Sequence, residues 1–221
     1  IVSEKGLILT NHHCGYGRIQ SHSTTEHNYL KDGFWAASFE EELPNPGLFV
    51  KFLIRMDDVT EDVLKKVDDK MSEADREKAI SEAIKKIEDK AMKNYKSEEA
   101  YEARVQSFFN SNYYYLIIYQ TYTDVRYVGS PPESIGKFGH DTDNWMWPRH
   151  TGDFAILRVY CAPDGSPAEY SPNNVPLESK HFFPLSIKGV QENDFAMTMG
   201  YPGTTNRYLT SWEVEETMEH E

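Results

Sequence analysis

Gly6-Leu7-Ile8-Leu9-Thr10-Asn11-His12-His13-Cys14-Gly15 is the stretch on which the fold turns. Its apolar run predicts a buried strand, and that strand stops in a polar segment bearing two histidines and a cysteine. About 140 residues later a second stretch answers it: Arg149-His150-Thr151-Gly152-Asp153-Phe154-Ala155-Ile156-Leu157-Arg158-Val159. There an acid heads another apolar strand. A histidine at one strand end and an aspartate at the mouth of a later strand form a base and its orienter, in that chain order.

The chemistry behind this pairing is general. A serine hydroxyl is a weak nucleophile at neutral pH and needs a base within hydrogen-bond reach, itself held by an acceptor. Histidine suits the base because its pKa lies near working pH. A carboxylate behind it fixes the tautomer and stabilises the imidazolium. His13 is assigned as base and Asp153 as orienter. The nucleophile is expected to lie outside these residues. Asp164-Gly165-Ser166 follows Asp153 too closely and reads as a hairpin turn. The cluster His12, His13, Cys14, His22 and His27 lacks tight pairs such as Cys-x-x-Cys or His-x-x-x-His, so no metal and no cofactor is expected.

Bulk composition narrows the field. The 221 residues are 39% hydrophobic and 13% aromatic, enough to fill a core. A net charge of −13 argues against nucleic acid and anionic membrane surfaces. No run approaches the roughly 18 apolar residues of a membrane span. The chain opens on Ile1-Val2-Ser3-Glu4-Lys5, which reads as a hairpin already under way, so a piece of a longer protein is expected. Cys14 and Cys161 allow at most one internal bridge.

Residues 1–10 read as strand and 11–31 as a long polar loop with at most one helical turn. Leu48–Met56 predicts a strand. From Thr60 to about Phe108 the pattern becomes helical. Val59, Val63 and Val67 repeat every four residues, and Ser72-Glu73-Ala74-Asp75 resembles a capping box. Ile80, Ala83, Ile84, Ile87 and Ala91 trace one stripe, and Ser97 starts a third helix carrying Tyr101, Val105 and Phe108. Asn112–Val128 predicts a long strand or a hairpin. Glu133–Pro148 reads as irregular, and strands are expected over 153–161, 181–187 and 194–199. Gly200-Tyr201-Pro202-Gly203-Thr204-Thr205 reads as a loop, and a helix opens near Tyr208. The class is mainly β with a helical insertion at about 58–108, an α+β arrangement.

Thr10-x-x-His13-Cys14 and Asp153-Phe154-Ala155-Ile156-Leu157 resemble the trypsin-like histidine and aspartate signatures, which favours His13 over His12 and Asp153 over Asp141 and Asp143. Together with Asp143-Asn144-Trp145-Met146-Trp147-Pro148-Arg149-His150, the chain resembles bacterial dipeptidyl-peptidases of the VII/XI type along its whole length. The resemblance implies a chymotrypsin-like serine exopeptidase, with a first β-barrel over 1–165, a crossing and the first strands of a second barrel over 166–203, and the start of a helical cap over 204–221. It implies His13 and Asp153 as triad members and puts Asn144 and Trp145 where the family binds the substrate's free α-amino group. An amide oxygen can accept from an ammonium and an indole can wall the subsite. The partners implied are peptides with a free N-terminus, with a homodimer as the full-length oligomer and a periplasmic, cell-surface or secreted location in a Gram-negative bacterium. The 221 residues alone are expected to be catalytically silent, with serine and oxyanion hole further along the chain. The competing readings are an inactive trypsin-like barrel that binds peptides, and an endopeptidase of the same fold.

Overall fold

The computed structural model describes residues 1–68, 70–95, 100–144, 146–197 and 208–220. The chain divides into two units, Ile1–Leu185 and Ser186–Glu221. The first opens with strand β1 (Leu7–Thr10), helices α1 (His12–His22) and α2 (Tyr29–Asp32), and short strands β2 (Phe34–Trp35) and β3 (Leu43–Pro44). Strand β4 (Val50–Asp58), helices α3 (Thr60–Leu64) and α4 (Glu73–Met92), and strands β5 (Tyr101–Phe108), β6 (Tyr113–Tyr122) and β7 (Val125–Ser130) follow. Helices α5 (Glu133–Gly136) and α6 (His140–Asp143) precede strands β8 (Ala155–Cys161) and β9 (Val175–Pro176). The second unit holds helix α7 (Ser211–His220), where Thr210 and Glu213 make reciprocal capping bonds.

Two antiparallel sheets carry the first unit. One runs β1-β8-β7-β2, with β3 on β7 and β9 on β8; the other runs β4-β6-β5. The pairing of β1 with β8 sets Thr10 opposite Ala155 and thereby brings the ends of the two quoted stretches together. Tyr122, Val159 and Cys161 are buried in one cluster, with Ile8, Val50, Phe52 and Leu177 packed against them. This cluster draws residues from strands of both sheets. Helix α4 covers the second sheet: Ala91 joins Leu116 and Ile118 in the core, flanked by Ile87 and Val105. Full burial of side chains such as Ile118 contributes about 1.5–3 kcal/mol each.

Several expectations meet a different structure. Residues 12–22, read as loop, are helix α1. Its inward residues are His12, Gly15 and Ile19 at helical spacing, but two of these three carry no apolar signal. The expected third helix is strand β5, fully paired with β6 from Tyr101↔Gln120 to Phe108↔Tyr113. Its proposed cap Ser97 lies outside the described residues. The segment 112–128 is neither one strand nor a hairpin. It breaks at Asp124, which is buried and bonded by Arg126 and Asn174, and passes from one sheet to the other. Residues 181–187 make no strand, and neither do 194–197. Residues 198–199 of that second expected strand, and the expected loop over 200–205, lie outside the described residues. Helix α4 matches its expected stripe, with Ser72 accepting from the Asp75 backbone. Both cysteines are free thiols, Cys14 exposed and Cys161 buried.

Candidate active site

Strand β1 ends at Thr10 and helix α1 begins at His12, so His13 sits on the first turn of a helix rather than on a loop. A helix start leaves its first backbone N–H groups without intrahelical partners. Asn11 occupies the N-cap position but makes no side-chain cap bond. The cap comes from across the chain. Asp153, just before β8, accepts the backbone N–H of His13 on Oδ1 at 3.1 Å.

The same carboxylate meets the His13 ring, with Nδ1 2.6 Å from Oδ2. An ionised carboxylate only accepts, so Nδ1 carries a proton, and in a neutral ring Nε2 then keeps its lone pair. Burial of the Asp153 carboxyl opposes its ionisation, but the backbone and ring hydrogen bonds from His13 outweigh that and hold it below the ordinary aspartate value. The His13 side chain is 69% exposed and Asp153 28%. The imidazole therefore faces solvent while the carboxylate is partly sheltered. Among the described residues Nε2 of His13 has no hydrogen-bond partner.

His12, one residue earlier, points the other way. It is 1% exposed, and its Nε2 is buried without a partner among the described residues. Burial pushes its pKa below the ordinary histidine value, against the pull of Asp153 and Glu133. Gly136 at the end of α5 makes room for the ring: a Cβ there would stand 2.4 Å from the His12 ring carbon Cγ. Helix α5 in turn holds the approach to Asp153, since Gly152 donates its backbone N–H to the Ile135 carbonyl at 2.9 Å.

Asn144 lies at the end of α6, and its Oδ1 accepts from the Thr151 hydroxyl at 2.8 Å. Trp145 lies outside the described residues. Sequence reasoning gave no role to Asn11, Gly136 and Thr151, and weighed His12 only as an alternative base and as one of a histidine cluster. Asn11 carried a signal, since Asn before a helix is a cap, but only with α1 recognised. Ser166 is occupied in a turn, its hydroxyl donating to Asp164 Oδ1 at 2.6 Å. Among the described residues no group of three His, Cys, Asp or Glu side chains is arranged to hold a metal ion, and no helix is long and apolar enough to cross a membrane.

The model of the peptidase S46 family matches residues 1–221. The chain belongs to the peptidase S46 family. Among S46 relatives, a dipeptidyl-peptidase 7 of Capnocytophaga gingivalis is 51% identical over 220 residues, covering 100% of this chain and 30% of its own length. An Asp/Glu-specific dipeptidyl-peptidase of Porphyromonas gingivalis is 51% identical over 218 residues, with 98% and 30% covered. The chain thus spans about a third or less of the relatives it matches. A crystal structure of Porphyromonas endodontalis DPP11 in complex with the dipeptide Arg-Glu superposes with a TM-score of 0.82 at 46% identity, covering 99% of this chain and 32% of that one. The S46 relatives are thus dipeptidyl-peptidases, and the α/β fold with its antiparallel sheets matches a solved member.

Proposed function

We propose that these residues form the amino-terminal part of a serine dipeptidyl-peptidase, with His13 as general base and Asp153 as its orienter. The observation that carries the reading is the 2.6 Å contact between Nδ1 of His13 and Oδ2 of Asp153, bridging 140 positions of sequence. It leaves Nε2 basic and turned to solvent, ready to take the proton of a serine hydroxyl supplied by a later part of the protein. His13 then returns that proton to the leaving amine, while Asp153 stabilises the imidazolium between the two transfers.

A dipeptidyl-peptidase must also measure two residues from the substrate's free amino end. Asn144 and Trp145 are proposed for that end, the amide oxygen accepting from the ammonium and the indole walling the subsite. The sheets with their shared cluster at Tyr122 and Val159 support a reading as the first barrel of a chymotrypsin-like pair. A periplasmic or cell-surface location and a full-length homodimer belong to the same proposal.

Fluorophosphonate labelling tests the reading, because the reagent marks an activated serine. The full-length protein should label and should cleave dipeptidyl-coumarins with a free but not a blocked amino end. The His13→Ala variant and the 221-residue piece should do neither. An unlabelled, inactive full-length protein that still binds peptides would favour the inactive barrel, and equal cleavage of blocked peptides would favour an endopeptidase.

A further inference from the structure

Asn11 stands in the N-cap position of α1, where an asparagine ordinarily turns its side-chain oxygen onto its own helix. Here it makes no such bond. Its Nδ2 instead donates twice to one residue, to the backbone carbonyl of Asp153 at 3.2 Å and to Asp153 Oδ2 at 3.2 Å. Both partners are acceptors only, so chemistry fixes which end of the amide faces them.

We propose that Asn11 is a positioning residue for the reaction: it clamps the Asp153 carboxylate in the plane that meets the His13 ring. The inference rests on the reading of His13 and Asp153 as base and orienter. One amino group ties the main chain of Asp153 to its own head group, which fixes the side-chain torsions between them. Oδ2 is then held by Asn11 on one side and by the His13 ring on the other, while Oδ1 is held by the His13 backbone. Helix α1 and Asp153 have thus exchanged duties. The aspartate caps the helix, and the residue that would have capped it steadies the aspartate.

This exchange makes the role separable from folding. Serine and aspartate are N-cap residues as good as asparagine, so Asn11→Ser and Asn11→Asp keep a competent helix start. Neither supplies an amino group to bridge the Asp153 carbonyl and carboxylate. In the full-length protein, Asn11→Ser should lower kcat by about tenfold to a hundredfold, the scale of one hydrogen bond to a charged group, with KM and melting temperature unchanged. Asn11→Asp should lower kcat further and move the acid limb of the kcat/KM profile to higher pH, because a second carboxylate favours the imidazolium. Wild-type kcat and an unmoved acid limb in both variants would overturn the proposal. So would a loss of kcat matched by a fall in melting temperature in both, which marks a structural role. The His13→Ala variant separates the two levels. If it is inactive while the Asn11 variants behave as wild type, only the role of Asn11 fails; if it remains active, the reading of the base fails.

Discussion

Asp153 takes two different hydrogen bonds from one residue, the backbone N–H of His13 on Oδ1 at 3.1 Å and its ring Nδ1 on Oδ2 at 2.6 Å. The first is a helix cap and the second orients an imidazole. Joining the two means the ring cannot swing without disturbing a helix start. A side chain on a flexible loop would lose entropy on being aligned; one on the first turn of a capped helix arrives largely aligned.

His12 makes the site sensitive to mild acid. Burial lowers its pKa below the ordinary value of 6.5. A histidine with a lower value folded than unfolded binds its proton more readily in the unfolded chain. Stability is therefore full above about pH 6.5 and declines as pH falls below that value. Thermal unfolding followed from about pH 8 to about pH 5 should show this decline, and His12→Gln should flatten it.

Gly136→Ala tests the socket beneath that ring. The added methyl would stand 2.4 Å from the His12 ring carbon, so either α5 or the ring must move. The cost expected is about 1–3 kcal/mol, the usual scale of overpacking. Because Gly152 hangs from Ile135 on the same helix, full-length activity should fall with it. Urea unfolding and a kcat measurement check both parts.

A buried charge pair braces the strand behind the site. Arg158 on β8 donates from Nε to Glu42 at 2.9 Å, and Tyr160 donates its hydroxyl to the same carboxylate at 2.8 Å. Burial, then Glu42, push the Tyr160 hydroxyl far above its ordinary value. Arg158→Met should destabilise by about 3–5 kcal/mol, because it strands a buried carboxylate. Pairing it with Glu42→Leu should recover much of that loss, since removing both charges is far less costly than removing one. Denaturant midpoints of the two single variants and the double variant give the comparison.

What sequence made legible follows from where the information sits. Strand β6, Tyr113–Tyr122, is rich in aromatic and β-branched residues, and α4 carries both its cap and its stripe locally. The pairing of His13 with Asp153 was legible because each lies at the end of an apolar run that wants to be a strand. Helix α1 was not, because its cap stands 140 residues away and its buried face is a histidine, a glycine and an isoleucine. Strand β5 was misread because Tyr101, Val105 and Phe108 fall at helical spacing while pairing with β6 decides otherwise. Asn11 was passed over for the same reason as α1. Its two acceptors belong to Asp153, and nothing near Asn11 in the chain announces them.

The central claim is that Asp153 holds His13 as the base of a serine dipeptidyl-peptidase, and one rate measures it. The kcat/KM of full-length Asp153→Asn on a dipeptidyl-coumarin should fall on the order of ten-thousand-fold, because the amide presents the wrong partner to Nδ1 and the wrong tautomer follows. A folded Asp153→Asn enzyme within about tenfold of wild type would contradict the account.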